Sequence, residues 1–265
     1  MITRTVHDCP PAMLDLAVTM SDAVRGVIRR YFRTRITVDA KTDASPVTIA
    51  DREAEALMRQ MIMARFPDHG IRGEEYGLHQ PDAEWSWVLD PIDGTKSFVS
   101  GSLAFGTQIA LLHDGEPLLG IIDQPITGER WIGKAGHPTT LNDVTIRTSD
   151  TRRIEDAVVY TSALDHFGAD TRARFDAVAR NARFQRASHD CYAAGLLALG
   201  TVDLLLEANV HDYDILPQLC IIQGAGGVVT DWEGRALPDA RRFDTVVMAA
   251  NAELHAAVIA RLADT

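Results

Sequence analysis

The sequence predicts two layered halves, each mixing helices with strands. Two long amphipathic stripes come first. A run of closely spaced apolar segments follows, separated by turn residues. The second half then alternates strand-like and helix-like segments. A meander followed by alternation implies two α/β units that share one interior. At 265 residues the chain is long enough for a sizeable core. It reads as one unit, 1–265, with approximate halves 1–150 and 151–265. A site between such halves is the natural expectation.

Residues 12–33 carry Leu14, Ala17, Val18, Val24, Ile28 and Tyr31 at helical spacing. Thr48-Ile49-Ala50-Asp51 resembles a capping box, with aspartate in the usual glutamate position. Ala54, Leu57, Met58, Met61 and Ile62 continue from it as a second helix. Ile71-Arg72-Gly73 is a short segment ending in acids, and Trp87-Val88-Leu89 is an apolar run that reads as a buried strand. Phe105–His113, Pro117–Asp123 and Glu129–Gly133 are strands separated by the turn signals Asp114-Gly115 and Thr127-Gly128. They form an antiparallel meander covered by the two N-terminal helices. In the back half, Val158–Thr161, Val202–Glu207, Val228–Asp231 and Val246–Ala249 read as strands. Asp170–Arg180, Tyr192–Leu199, Ile215–Gln223 and Ala252–Leu262 read as helices.

Hydrophobic residues make up 46% and charged residues 24%, an ordinary balance for a globular enzyme. The formal net charge of -11 argues against nucleic acid and anionic membranes as partners. It leaves an anionic substrate open, because a bound cation reverses the local sign. Cys9, Cys191 and Cys220 show no metal-type spacing and read as buried thiols. Met1-Ile2-Thr3-Arg4 lacks the apolar run of a signal peptide. No segment reaches the roughly 18–20 apolar residues of a membrane span. Leu196–Leu206 comes nearest and is interrupted by Gly200 and Asp203. The expected compartment is the cytoplasm.

The segment carrying the most chemistry is Trp87-Val88-Leu89-Asp90-Pro91-Ile92-Asp93-Gly94-Thr95. A buried strand ends in two carboxylates at a sharp turn, which makes a site for a hard cation. Gly94 and Thr95 offer backbone N–H groups to an anion. Cation and anion together point to phosphoryl chemistry. Glu74-Glu75 reads alone as surface charge, and as an extra ligand when placed before that strand. Asp214 stands where a helix begins, as a cap or as a ligand. Gly224-Ala225-Gly226-Gly227 ends that helix and lacks the ending of a P-loop. Asp51 either favours its helix dipole or accepts a hydrogen bond from Thr95 and helps to orient a water. The nine histidines show no zinc spacing, and no Gly-x-Ser-x-Gly string appears. Covalent serine or cysteine catalysis is therefore disfavoured.

Gly73-Glu74-Glu75, Asp90-Pro91-Ile92-Asp93-Gly94-Thr95 and Tyr213-Asp214-Ile215, thirteen residues before Gly227, resemble the signatures of the inositol monophosphatase superfamily. The likeness includes Ser45-Pro46-Val47-Thr48-Ile49-Ala50-Asp51. Within it the chain is most similar to the histidinol-phosphate phosphatase branch. The strings that carry this are Thr95-Lys96-Ser97-Phe98-Val99-Ser100-Gly101, Gly120-Ile121-Ile122-Asp123-Gln124-Pro125, Gly128-Glu129-Arg130-Trp131 and Asp190-Cys191-Tyr192. Ser188-His189 stand where that branch has Gly-Gly, and His211-Asp212 where it has Lys-Pro.

The resemblance implies an α+β fold, a layered α-β-α-β-α sandwich of the inositol monophosphatase / fructose-1,6-bisphosphatase type, in a homodimer. It implies two or three Mg²⁺ ions held by Glu74, Asp90, Asp93, Asp214 and the carbonyl of Ile92. It makes Thr95, Asp51 and Glu74 catalytic, and Gly94 and Thr95 the phosphate seat. Water then attacks a small phosphate monoester directly, without a phospho-enzyme. Histidinol carries an ammonium and an imidazole, so its pocket should offer acids. Asp190, Glu207 and Asp212 are the expected substrate contacts. L-histidinol phosphate, in histidine biosynthesis, is the expected substrate. Inositol-1-phosphate or a related sugar or nucleotide phosphate is the alternative. A non-catalytic metal-binding scaffold is the alternative of another class.

Overall fold

The computed structural model describes residues 8–35, 37–40, 46–238 and 240–264. The N-terminal Met1-Ile2-Thr3-Arg4 and Ser45 lie outside the described residues. In chain order the first half runs α1 (Pro11–Tyr31), β1 (Val38–Ala40), β2 (Pro46–Thr48), α2 (Ile49–Arg65), β3 (Gly70–Gly73), β4 (Gly77–His79), β5 (Trp85–Asp93) and α3 (Thr95–Ser100). It continues with β6 (Gly106–His113), β7 (Glu116–Gln124), β8 (Glu129–Lys134), β9 (Thr140–Leu141) and β10 (Val144–Thr145). The second half holds β11 (Val158–Thr161), α4 (Ala169–Ala179), β12 (Phe184–Ala187), α5 (Asp190–Ala198) and β13 (Leu204–His211). It closes with α6 (Asp212–Gly224), β14 (Val228–Thr230), β15 (Arg242–Ala249) and α7 (Ala252–Ala263).

Eight strands form one sheet in the order β10-β9-β8-β7-β6-β5-β3-β4, and five form a second in the order β12-β11-β13-β15-β14. The strands β6 to β8 are an antiparallel meander, as expected, and β5 extends it by pairing antiparallel to β6. Alternation along β5 then decides the layers. Trp87 and Leu89 face α1 and α2, with Ile28, Met58 and Ile62. Val88 faces the opposite way, toward α5, α6 and the second sheet. The far side of that second sheet packs Val159, Leu204 and Val247 on Phe175 of α4 and on Leu254 and Val258 of α7. The result is an α-β-α-β-α sandwich. Each such large apolar side chain stabilises the fold by about 1.5–3 kcal/mol when fully buried.

Two glycines set the central layer. A Cβ on Gly120 would lie 1.8 Å from the carbonyl oxygen of Pro217, and one on Gly133 would lie 2.3 Å from the nitrogen of Ile221. Their bare backbone lets α6 lie directly on β7 and β8, which fixes the start of α6 against the sheet.

Some elements escaped the sequence reading. Both β3, which pairs parallel to β5, and the edge strand β12 are only four residues long, and α3 has six. None is long enough to establish a period. The helices α5 and α6 begin two or three residues earlier than expected, because their first turns are built from acids. The three cysteines are free thiols. Among the described residues, no helix is long and apolar enough to cross a membrane.

Candidate active site

Asp90 and Asp93 are an odd number of residues apart, so a regular strand would send them to opposite faces. The strand is not regular there. Asp90 pairs with Gln108 and Asp93 with Gly106, with a register shift between them. Pro91 lacks the N–H that a continuous ladder needs. The irregularity brings the two carboxylates together, and Asp214 joins them from the first turn of α6. One oxygen from each of Asp90, Asp93 and Asp214 lies within 4.8 Å of the other two.

Each acid is held by backbone. The N–H of Ile92 donates to Asp90 Oδ1 at 3.1 Å, and that of Cys191, in α5, donates to Asp93. The N–H of His211 donates to Asp214 Oδ2 at 2.8 Å, while Gln108 Nε2 donates to the carbonyl of Asp214 at 3.1 Å. Asp214 is therefore a helix cap and a member of the cluster at once. Glu74, directly after β3, shares a hydrogen bond with Asp90.

Burial and mutual repulsion dominate the electrostatics. Burial, followed by the charges of Glu74, Asp93 and Asp214, holds the Asp90 carboxyl well above its ordinary range. Burial and then Asp190 and Asp214 do the same to Asp93. Asp214 is pushed up to about 8, chiefly by burial.

Asp51 divides its two oxygens between two tasks. Oδ2 accepts the N–H of Thr48 at 2.8 Å and completes the expected capping box of α2. Oδ1 lies 3.3 Å from the hydroxyl of Thr95, which is also 3.2 Å from the carbonyl oxygen of Ile92. Burial raises the Asp51 carboxyl to about 6.

A cleft of about 440 Å³ opens between the halves beside this cluster. Glu74, Asp93, Gly94 and Thr95 line it from one side, and Ser162, Asp165, His166, Ser188 and Asp190 from the other. Gly94 has φ +92°, and a Cβ there would lie 2.6 Å from Asp190 Oδ2. A side chain there would be strained and would have to displace that carboxylate. Asp190 Oδ2 accepts from the hydroxyl of Ser97 at 3.1 Å, and burial raises its carboxyl to about 6.

The three expected substrate contacts part company here. Asp190 lines the cleft. Glu207 is buried behind the wall and accepts from the N–H of Ser162 at 2.8 Å and its hydroxyl at 3.0 Å. Burial pushes Glu207 up to about 8. Asp212 is placed differently. Its carboxylate is buried and paired with Arg241 at 3.1 Å and Arg72 at 3.8 Å. It is committed to two cations of its own chain and is not among the residues that line the cleft.

Sequence reasoning missed Ser162, Asp165 and His166, which arrive on a bend and a single 3-10 turn (Leu164–His166) too short for a pattern. It also passed over Glu55. That residue stands four positions after Asp51 and is fully buried, and an acid beside an apolar helical stripe was the available signal.

Acids gathered at a sheet end, beside a cleft between two layered halves, form a candidate site for a hard cation. The chain belongs to the inositol monophosphatase family, whose model matches residues 11–265. It is 45% identical to the chloroplastic bifunctional phosphatase IMPL2 of Arabidopsis thaliana over 82% of its own length. It spans 63% of that relative. It is 33% identical to a histidinol-phosphatase of Chlorobaculum parvum, over 84% of this chain and 86% of the other. An inositol monophosphatase structure from Zymomonas mobilis superposes with a TM-score of 0.88 at 38% identity, covering 97% of this chain and all of that one.

Proposed function

We propose that the protein hydrolyses L-histidinol phosphate to L-histidinol and phosphate, using Mg²⁺ and a directly attacking water. The observation that carries the reading is the convergence of three carboxylates, the buried Asp90 and the half-buried Asp93 and Asp214, within 4.8 Å. Such an all-oxygen, anionic donor set suits a hard divalent cation and explains why the acids sit together despite their repulsion. Glu74, Asp90, Asp93, Asp214 and the carbonyl of Ile92 would hold the ions. When bound, Mg²⁺ polarises the phosphoryl group and makes water a stronger nucleophile.

The chain's own groups do the rest. The backbone N–H groups of Gly94 and Thr95 seat the phosphate. The Thr95 hydroxyl and Asp51 Oδ1 stand 3.3 Å apart, orient the water and take its proton. The oxygen of water bonds to phosphorus as the bond to the ester oxygen breaks; the alkoxide takes a proton from solvent and Asp51 later returns its proton to solvent, so no covalent enzyme intermediate forms.

Substrate choice rests on the acids across the cleft. Asp190 lines it, which supports a cationic leaving group. The name of the Chlorobaculum parvum relative supports the same choice. The second reading is inositol-1-phosphate, favoured by the name of the Zymomonas mobilis neighbour. Phosphate release from both esters at fixed Mg²⁺ separates them. We expect a higher kcat/KM for histidinol phosphate, and a preference for inositol phosphate overturns that choice. No Mg²⁺-dependent release from any small monoester leaves only a non-catalytic scaffold.

A further inference from the structure

We infer that Glu55 and Gly73 form a paired positioning device for Glu74. Glu55 lies on α2, four residues after Asp51, and is fully buried. Burying a carboxylate costs free energy unless its oxygens are satisfied. Here both are. Oε2 accepts the N–H of Glu75 at 2.7 Å, and Oε1 accepts the N–H of Tyr76 at 3.1 Å. Arg59, one helical turn further on, donates to Oε1 at 2.7 Å and also to the carbonyl of Gly77. The turn after β3 is therefore gripped on its N–H groups by Glu55 and on a carbonyl by Arg59. On the other side, the N–H of Glu74 donates to the carbonyl of Leu89 in β5 at 3.2 Å. Glu74 is held between α2 and the strand that carries Asp90 and Asp93.

Gly73 makes room for this grip. A Cβ at Gly73 would lie 1.9 Å from Glu55 Oε1 and 2.7 Å from Arg59 Nη2. The carboxylate occupies the volume a side chain would take. One helix thus supplies Asp51 to Thr95 and Glu55 to the Glu74 turn. A rigid element of this kind holds the two functional loops in one frame.

The inference rests on Glu74 being a cation ligand, and its test separates the two ideas. Mn²⁺ binding to the purified enzyme is measured by calorimetry, alongside Mg²⁺-dependent kinetics and melting temperature. Glu55→Gln keeps the shape but turns an NH₂ group toward one of the two N–H donors. We expect Mn²⁺ affinity to fall about tenfold, as for groups that orient metal ligands. The Mg²⁺ concentration for half-maximal rate should rise in parallel, with kcat recovering at high Mg²⁺. Gly73→Ala strikes the same contact from the other side and should give the same split. A variant that melts earlier yet binds Mn²⁺ with wild-type affinity makes Glu55 merely structural and overturns the inference. If the wild-type enzyme itself binds no Mn²⁺, the ligand assignment of Glu74 falls instead, and this inference with it.

Discussion

Asp123 and the Asp90–Asp93–Asp214 cluster meet opposite fates. Asp123, on β7, is fully buried, and its carboxylate receives Arg25 through two bonds at 2.7 Å and Arg130 at 2.6 Å. Those arginines tie α1 and β8 to the sheet. Asp90 is as buried, Asp93 and Asp214 are half-buried, and the charges that act on all three are other acids. The first is neutralised by its own chain and stabilises it. The second is surrounded by like charge and, under the proposed function, would be neutralised by a bound cation. The cleft also concentrates backbone cost, since Ser188 at φ +67° and Asp190 at φ +42° sit in the left-handed region. Strain and unneutralised charge gathered in one place mark where function has been placed above stability.

The comparison breaks most visibly at Asp93. Asp93→Asn should lower turnover by about 10²–10³-fold, the scale for losing a stabiliser of transition-state charge. The metal-free variant should melt no lower than the wild type, because one repelling charge is gone. Near-normal activity in steady-state assays removes Asp93 from the mechanism. Asp123→Asn should do the reverse. Breaking a buried ion pair costs about 3 kcal/mol or more, to be read by urea unfolding, while kcat of the folded enzyme stays in place.

Removal of metal sharpens the contrast through pH. The Asp214 carboxyl, near 4 in the unfolded chain, is raised to about 8 in the folded one. The folded state therefore holds the extra proton. Stability is fully present below about pH 4 and is lost as pH rises toward 8. Protons and metal compete for the same oxygens. Added Mg²⁺ should thus raise the melting temperature more at pH 8 than at pH 5, and an equal rise at both pH values argues against these ligands. Glu207, raised to about 8 by burial, follows the same sign. Glu207→Gln should raise the melting temperature of the metal-free protein at pH 8 and leave it near wild type at pH 5. The smallest effect belongs to Ser188. Ser188→Gly should relieve about 1 kcal/mol of backbone strain, seen as a small gain in unfolding free energy. A loss there means the hydroxyl makes a contact that outweighs the strain.

The sequence carried much of this molecule. The apolar run Trp87-Val88-Leu89 announced a buried strand, and the Thr48–Asp51 box announced the start of α2. The Asp-Pro-Ile-Asp-Gly-Thr string placed two acids at a turn. These features depend on local sterics and on hydrogen bonds between near neighbours, so short windows of sequence encode them. Other facts were decided only in three dimensions. Asp212 resembled a substrate contact until Arg72 and Arg241 enclosed it. Glu55 resembled an ordinary helical acid until the Glu74 turn closed over it. Asp214 meets Asp90 because Gly120 and Gly133 let α6 lie against the sheet. Such meetings depend on register and on close packing between segments far apart in the chain, and no local pattern records which partner a buried charge will find.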